Sequence, residues 1–484
     1  MLLDVGLCDG HGDEVTRTDE VKMGGHVRKT FVAAGGAAVV MSVWIGLGGA
    51  GAGTTLSPVA VLAAADTPRV TFAKDVAPIF QAKCQSCHHP GTVAPMSLMS
   101  YEEARPWARS IKDRVARREM PPWHLDTSVG IQSFKNDISL TTDQIATIVA
   151  WVDAGAPLGD PKDLPKPLTF RDEEWTIGQP DLIVSLPKPD VVYANGPDWW
   201  VDRIVEVNLP EDKYIKAVET RVMGAGRKVT HHAIATLIQE EDARTVGGGS
   251  SADGAITDVN EGTYLSEYAV GKYGETFPDG SGRIIKKGAK VRLNMHYHAI
   301  GQEVPSMTKV GFVFYPKENP PTHFLTDVFP HENDTIDIPP GAVTRTDAYY
   351  RLPKNARIAS FQPHMHIRGK AMCMEAIHLN GSKETLSCVD RWDFNWHVMY
   401  TYNDDVAPLL PAGTMLHLIA IHDNTAANRR NPDPTIWVGW GQRSIDDMAA
   451  AHIGTEFLSD ADFQKQVAER KAKLASSTSN NQNQ

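Results

Sequence analysis

The hydrophobic pattern changes period several times along this chain, and the changes divide it. From Met23 the stretch MGGHVRKTFVAAGGAAVVMSVWIGLGG places basic residues (His26, Arg28, Lys29) ahead of an apolar run, and Ala63, Ala64 and Ala65 offer a small-residue cleavage site before Asp66. Residues 1–65 therefore read as an export signal, with Met23 as a candidate true start because residues 1–22 are polar and acidic. The run also approaches the roughly 20 residues a spanning helix needs, so an uncleaved membrane anchor is the competing reading. Either way, the rest of the chain is delivered outside the cytoplasm, to the periplasm or beyond.

Helical spacing comes next. In FAKDVAPIFQAKC, Val76, Ile79 and Phe80 predict a short helix ending near Cys84. In LTTDQIATIVAWVDAGAP, Thr142 and Asp143 are capping candidates, Ile145, Ile148, Val149 and Val152 supply the apolar stripe, and Gly155 and Pro157 stop it. Residues 66–160 thus read as a small all-α domain. A proline-rich linker, 161–189, follows, and beyond it the pattern becomes alternating strands and turns. The end, ERKAKLASSTSNNQNQ, starts as a charged helix end and finishes as a polar tail (461–484) with too little to bury to order itself.

Two strand readings carry chemistry. VTHHAIATLI, residues 229–238, looks like a buried strand, yet His231 and His232 are neighbours, and neighbours on a regular strand point to opposite faces. In MCMEAIHLNGSKETLSCV, Asn380-Gly381 signals a two-residue hairpin, and Cys373 and Cys388 add to the same total as that turn pair, so they face each other across it. An oxidising compartment favours a disulfide there. This register makes them a hydrogen-bonded pair, whose wider spacing suits a cross-strand bridge less well, and two packed free thiols are the alternative.

With 484 residues and 42% hydrophobic content the chain has room for about three domains. A formal net charge of -11 and the lack of long Lys/Arg runs argue against a nucleic-acid partner. The 39 Gly and 31 Pro are scattered rather than periodic, which fits a loop-rich β protein and not a repeat array.

KCQSCHHP contains Cys84, Cys87 and His88 as C-x-x-C-H, in which two thiols bond to haem vinyl groups and the histidine ligates the iron. A redox C-x-x-C or half a zinc site are the alternatives. In its helical frame the motif makes 66–160 resemble a small c-type cytochrome domain. Methionine is the usual second ligand, and Met120 in REMPPWH, stiffened by two prolines, is the first choice over Met96 and Met99.

Three histidine groups stand out among the 18 histidines: His231 with His232, His296 with His298 in RLNMHYHAIG, and His364 with His366 in FQPHMHIRGK. H-x-H on a strand puts both imidazoles on one face, where they can share a metal. Neutral nitrogens with soft sulfur favour copper, particularly Cu(I), with zinc as the competitor.

In this order THH at 230–232, MHYH around His296, HMHIRGK at 364–370 and WGQRSIDDM ending at Met448 resemble the copper type II, ascorbate-dependent monooxygenases, the family of peptidylglycine α-hydroxylating and dopamine β-monooxygenases. The resemblance spans roughly residues 190–460. It implies two all-β jelly-roll domains, 190–340 and 341–460, each holding one copper. It makes His231, His232 and His296 the ligands of an electron-transfer copper, and His364, His366 and Met448 those of the copper that activates oxygen. Both neighbouring imidazoles reach one ion if the strand is twisted or bulged at that point. There are departures. His298 is an extra imidazole, the cysteine-dense pattern of the animal enzymes is missing, and Met399 and Met415 also lie in the last domain.

The expected activity is oxidation of a small-molecule or peptide substrate with incorporation of one atom of O2. Two coppers and one haem c are the expected cofactors, and the fused haem feeds the His231/His232/His296 copper, drawing on a periplasmic redox protein or an ascorbate-like reductant. A non-catalytic haem and copper electron-transfer or copper-binding protein is the alternative. A zinc hydrolase would need bridging carboxylates, which neither H-x-H motif supplies. Asp446 and Asp447 are candidate braces, and Trp392, Phe394 and Trp396 of RWDFNWH read as core.

Overall fold

The structure, a computed structural model, describes residues 70–481 apart from 93, 171–174, 241–262, 271, 273 and 333–334; the export signal, its candidate start and its anchor reading lie outside the described residues. Sheet dominates, with a few mostly short helices. Among the described residues no helix is long and apolar enough to cross a membrane.

Val76, Ile79 and Phe80 form one buried face over a π-helical turn (Phe72–Val76) and helix α1 (Ala77–Lys83), and Cys84 caps its end. Helices α2 (Tyr101–Ala104), α3 (Ala108–Ala116) and α4 (Thr142–Asp153) complete a helical group around Phe72, Phe80, Ile111, Ile148 and Trp151. The cap of α4 sits one residue earlier than the sequence reading placed it: the Thr141 hydroxyl accepts from Gln144 N, and the Gln144 side chain accepts from Thr141 N.

This group is not self-contained. The segment between α3 and α4 leaves it, and Trp123, Leu125 and Phe134 join the apolar cluster of the last β region. Its backbone pairs there as well, Asp126 N donating to Cys388 O (2.9 Å), Ile131 N to Leu386 O (2.9 Å) and Lys135 N to Thr401 O (2.8 Å). A buried segment must satisfy its backbone groups, and this one does so on strands that follow it by more than 250 residues, as the Lys135 bond illustrates.

Among the described residues, eleven strands form the first β region: β1 (Leu182–Ser185), β2 (Asp190–Val192), β3 (Trp199–Glu206), β4 (Lys213–Met223), β5 (Thr230–Ile238), β6 (Thr263–Ala269), β7 (Glu275–Thr276), β8 (Ser281–Ile285), β9 (Lys290–Tyr297), β10 (Val304–Phe314) and β11 (His323–Val328). Nine form the second: β12 (Val343–Arg351), β13 (Asn355–Ile358), β14 (Ser360–His364), β15 (Gly369–Ile377), β16 (Lys383–Val389), β17 (Tyr400–Thr401), β18 (Leu409–Leu410), β19 (Met415–Asp423) and β20 (Ala450–Leu458). In the first region the sheet β3-β9-β5-β6 shares one core with β1, β4 and β10. In the second, β12-β19-β15-β16 encloses the other core with β13, β14 and β20. The regions are not separate sheets: one path runs β1-β10-β4-β8-β11-β20-β13-β18, crossing between them where β11 pairs with β20 from Leu325↔Glu456 to Val328↔Ile453.

Two stretches depart from expectation. The stretch read as linker contains β1, whose apolar residues pair with β10, Leu182 opposite Phe312. The stretch read as a charged helix end running into an unordered polar tail forms helix α5 (Asp460–Asn481). Ser459 caps it by accepting from Asp462 N, Phe463 is buried, and Arg470 donates to the carbonyls of Ala407 and Asp404. These anchors override the polar composition of the tail.

Cys373 and Cys388 are bridged and lie directly opposite on β15 and β16. The sequence reading reached the right pair by two offsetting errors. The turn is longer than two residues, since His378 N donates to Ser382 O and Ile377 pairs with Lys383, and a bulge between Met374 and Glu375 restores the register. The bulge also changes the alternation: the Cα atoms are 4.0 Å apart, the narrow spacing, not the wide one inferred from the sequence. Replacing both cysteines by alanine is expected to lower stability by about 3 kcal/mol, the loop-closure entropy for a separation of 15 residues, seen as a lower urea midpoint.

Candidate metal centre

Antiparallel β5 and β9 set Thr230 against Tyr297 and His232 against His296, leaving His231 without a cross-strand partner. That bulge resolves the conflict posed by two neighbouring histidines. It rotates the backbone so that both rings turn toward His296 instead of to opposite faces. Ring centroids are 5.5 Å (His231 to His232), 5.0 Å (His231 to His296) and 5.1 Å (His232 to His296) apart. One ligand nitrogen from each of the three lies within 4.8 Å of the others.

The electrostatics suit a cation. The Nδ1 atoms of all three rings are buried without a hydrogen-bond partner among the described residues. Each such orphan costs roughly 1–3 kcal/mol, so three together are a large fraction of a net stability of about 5–15 kcal/mol, and an ion bound at those lone pairs removes the cost. Burial, then the neighbouring imidazoles, holds His231 down to about 3, and burial drives His232 well below its ordinary value. Both rings are thus neutral ligands at neutral pH. Asp198 Oδ2 lies 3.0 Å from His296 Nε2, which points the orphaned Nδ1 inward. His298 is no part of this set. It lies past the end of β9 with a side chain 63% exposed, and its Nδ1 meets Asp198 Oδ1 at 2.7 Å.

His364 ends β14 and His366 comes on the turn after it, with ring centroids 5.3 Å apart. Strand β14 pairs with β20, His364 opposite Ala450, and Met448 lies two residues before that pair, beside Asp447. Asp447 is fully buried and accepts from the backbone N of His366 (2.8 Å), Arg368 (3.2 Å) and Met448 (2.9 Å), with His422 Nε2 at 3.2 Å. The Asp446 carbonyl lies 3.2 Å from His366 Nδ1, which leaves Nε2 as the lone-pair nitrogen. Both acids therefore brace the histidine turn, one by its side chain and one by its backbone. Of the competing methionines, Met415 lies at the opposite end of β19 from His422, and Met399 accepts at its carbonyl from Asn136.

Sequence reasoning missed what joins these groups. In RWDFNWH, Trp392 and Trp396 pack on the core as expected, but Phe394 stacks on His231 (5.1 Å, 23°) and meets His366 at 5.8 Å. His397, at the end of the same stretch, lies 5.8 Å from His231, 6.2 Å from His232 and 5.4 Å from His364. A lone histidine outside any H-x-H pattern gives no sequence signal beyond its aromatic neighbours. The other side of this loop is held by the helical region, Arg391 Nη1 donating to Arg118 O (3.2 Å).

At the C-x-x-C-H turn, Cys87 N (3.1 Å) and His88 N (2.9 Å) both donate to Cys84 O. The two thiols form no disulfide, and burial pushes Cys84 up to about 12. His88 Nδ1 lies 3.0 Å from the Met96 carbonyl, which leaves Nε2 as its lone-pair nitrogen. Met120, ahead of a cis Pro121, lines a cavity of about 20 Å³ with Val115, Trp123, Leu140, Ile145 and Arg391. None of Cys84, Cys87 or His88 lines that cavity. Three residues past His88, Gly91 O accepts from Arg227 Nη1 (2.7 Å), tying the motif to the connection that leads into β5.

No family model matches the chain, and no curated protein matches it.

Asp198→Asn is expected to weaken metal binding about 10- to 100-fold with the fold intact, measured by competition with a chelator. The apoprotein is expected to be acid-sensitive. Because His231 stays neutral down to about 3 while the unfolded chain takes up a proton below 6.5, its contribution is complete above pH 6.5 and lost as pH falls toward 3. The loss runs at up to about 1.4 kcal/mol per pH unit for each such ring. Tm of metal-free protein should fall between pH 7 and pH 5, and fall less in His231→Gln.

Proposed function

We propose that the chain is a copper-dependent monooxygenase, an exported oxidoreductase that hydroxylates a C–H bond of an organic substrate with O2, with a haem c carried on its own helical segment. The reading is carried by the bulge at His231, which converges three neutral imidazoles with orphaned Nδ1 atoms beside the His364/His366 pair. The order of these motifs resembles the copper type II monooxygenases, and two β regions, each contributing one histidine group, accord with their two jelly-roll domains.

His231, His232 and His296 would hold one copper, and His364, His366 and Met448 the other. Cys84, Cys87 and His88 would hold the haem, with Met120 as its second protein ligand. Bound copper would supply oxygen activation and one electron per ion, and the haem would supply single electrons. Neutral nitrogen with thioether is a soft donor set that suits copper over harder cations. Two of the nearby acids do not bridge the two histidine groups as a zinc hydrolase would require: Asp198 sits behind His296, and Asp447 is occupied by backbone N–H groups.

The chain's own contribution is positioning. Asp198 and the Asp446 carbonyl fix which nitrogen of His296 and His366 carries the lone pair. Phe394 covers the His231 ring and restricts water there. The bond between Gly91 and Arg227 keeps the haem motif beside β5, and one covalent chain gives a high effective concentration of donor for acceptor.

The test is copper and haem content of protein expressed in a periplasm, with stopped-flow reoxidation of the dithionite-reduced protein by O2. Two coppers and one haem per chain, with reoxidation only when copper is bound, is the expected result. Zinc in place of copper, or reoxidation indifferent to copper, overturns it. Copper-dependent reoxidation with no hydroxylated product across a substrate screen selects the electron-transfer alternative.

A further inference from the structure

His397 has no place in the ligand sets above, yet its surroundings are those of a ligand. It lies in the irregular stretch between β16 and β17 and is only 4% exposed. Its Nδ1 faces Oε1 of Glu267, a buried residue of β6, at 3.6 Å. Glu267 is fixed in turn: its Oε2 accepts from Gln362 Nε2 of β14 at 2.9 Å and lies 3.7 Å from Lys272 Nζ. His397 Nε2, on the other side of the ring, is buried and has no hydrogen-bond partner among the described residues. A carboxylate behind one nitrogen and a bare lone pair on the other is the arrangement that orients a metal-bound imidazole.

Distances favour the His364 pair; the donor atoms of His364, His366 and His397 do not all lie within 4.8 Å of one another, as those of His231, His232 and His296 do, so a bound ion would draw the three rings together. Imidazoles sharing one ion, with nitrogen about 2.0 Å from the metal, hold their ring centroids about 5 Å apart. His397 is 5.4 Å from His364, close to the 5.3 Å between His364 and His366, and farther from His231 (5.8 Å) and His232 (6.2 Å).

We propose that His397 is a third nitrogen ligand of the metal held by His364 and His366, with Glu267 as its positioning residue. The proposal rests on the reading that this pair holds copper. It makes the second set three imidazoles, with Met448 as an additional thioether donor, and it places the two metal sites one ring apart. It also divides the second site between the regions, since Glu267 belongs to the first and the three histidines to the second.

X-ray absorption on the copper-loaded, full-length protein counts the imidazoles directly. Six imidazoles over two coppers, an average of three each, is the expected result; five over two overturns the proposal. This needs no variant, so it stands even if substitution at the buried site prevents folding. His397→Ala is expected to weaken one copper site about tenfold or more by chelator competition, leave the other unchanged, and alter the nitrogen hyperfine pattern of the Cu(II) electron paramagnetic resonance spectrum. Glu267→Gln should keep both coppers and shift that spectrum, which a purely structural role would not do. Two coppers held with unchanged affinity and spectrum in His397→Ala overturns the proposal alone. A wild-type protein that takes up no copper overturns it together with the reading beneath it.

Discussion

Strand β20 pairs with β11, β13 and β14, and the candidate centre depends on that threefold pairing. Its bonds to β11 make one sheet of strands from both β regions. Its bonds to β14 fix His364, and the turn ahead of it carries Asp446 and Asp447 to His366. A strand with partners on both sides cannot slip by one residue without turning every side chain to the wrong face. The site is therefore specified by sheet register, with the loop at 390–399 laid across the two histidine groups.

The polar interior has its origin in the same geometry. Beside the strands that join the two regions, the interior holds histidine, carboxylate and amide side chains: His364, Gln362, Glu267 and His397. Most of these groups are matched: Glu267 with Gln362, Asp198 with His296 and His298, Asp447 with three backbone N–H groups. Among the described residues, four buried side-chain atoms without a partner are imidazole nitrogens of the centre, on His231, His232, His296 and His397. Satisfied partners behind and bare lone pairs in front are the physical signature of a place prepared for a cation.

Much of this was legible in the sequence because the informative residues are local. Adjacent histidines on a strand demand a bulge, and the bulge is present at His231. Cysteines equidistant from a turn face each other, although the turn and the register near it differ from the simplest reading. What could not be read depends on residues far apart. His397 becomes conspicuous only beside Glu267, Trp123 is core only against the second β region, and α5 orders only because Phe463 and Arg470 find distant partners. Proline content concealed β1, since LIVS is too short a run to announce a strand without its partner β10.

The segment between α3 and α4 carries one more implication, for the order in which the chain can assemble. Trp123, Leu125 and Phe134 are made early in synthesis, but the surface that receives them includes Leu386, Tyr400 and Tyr402, made late. The early part cannot finish folding as it emerges and must wait, with apolar side chains exposed, until nearly the whole chain is available. Topology acts as a clock: the core that Trp123, Leu125 and Phe134 share closes only when the last sheets lock.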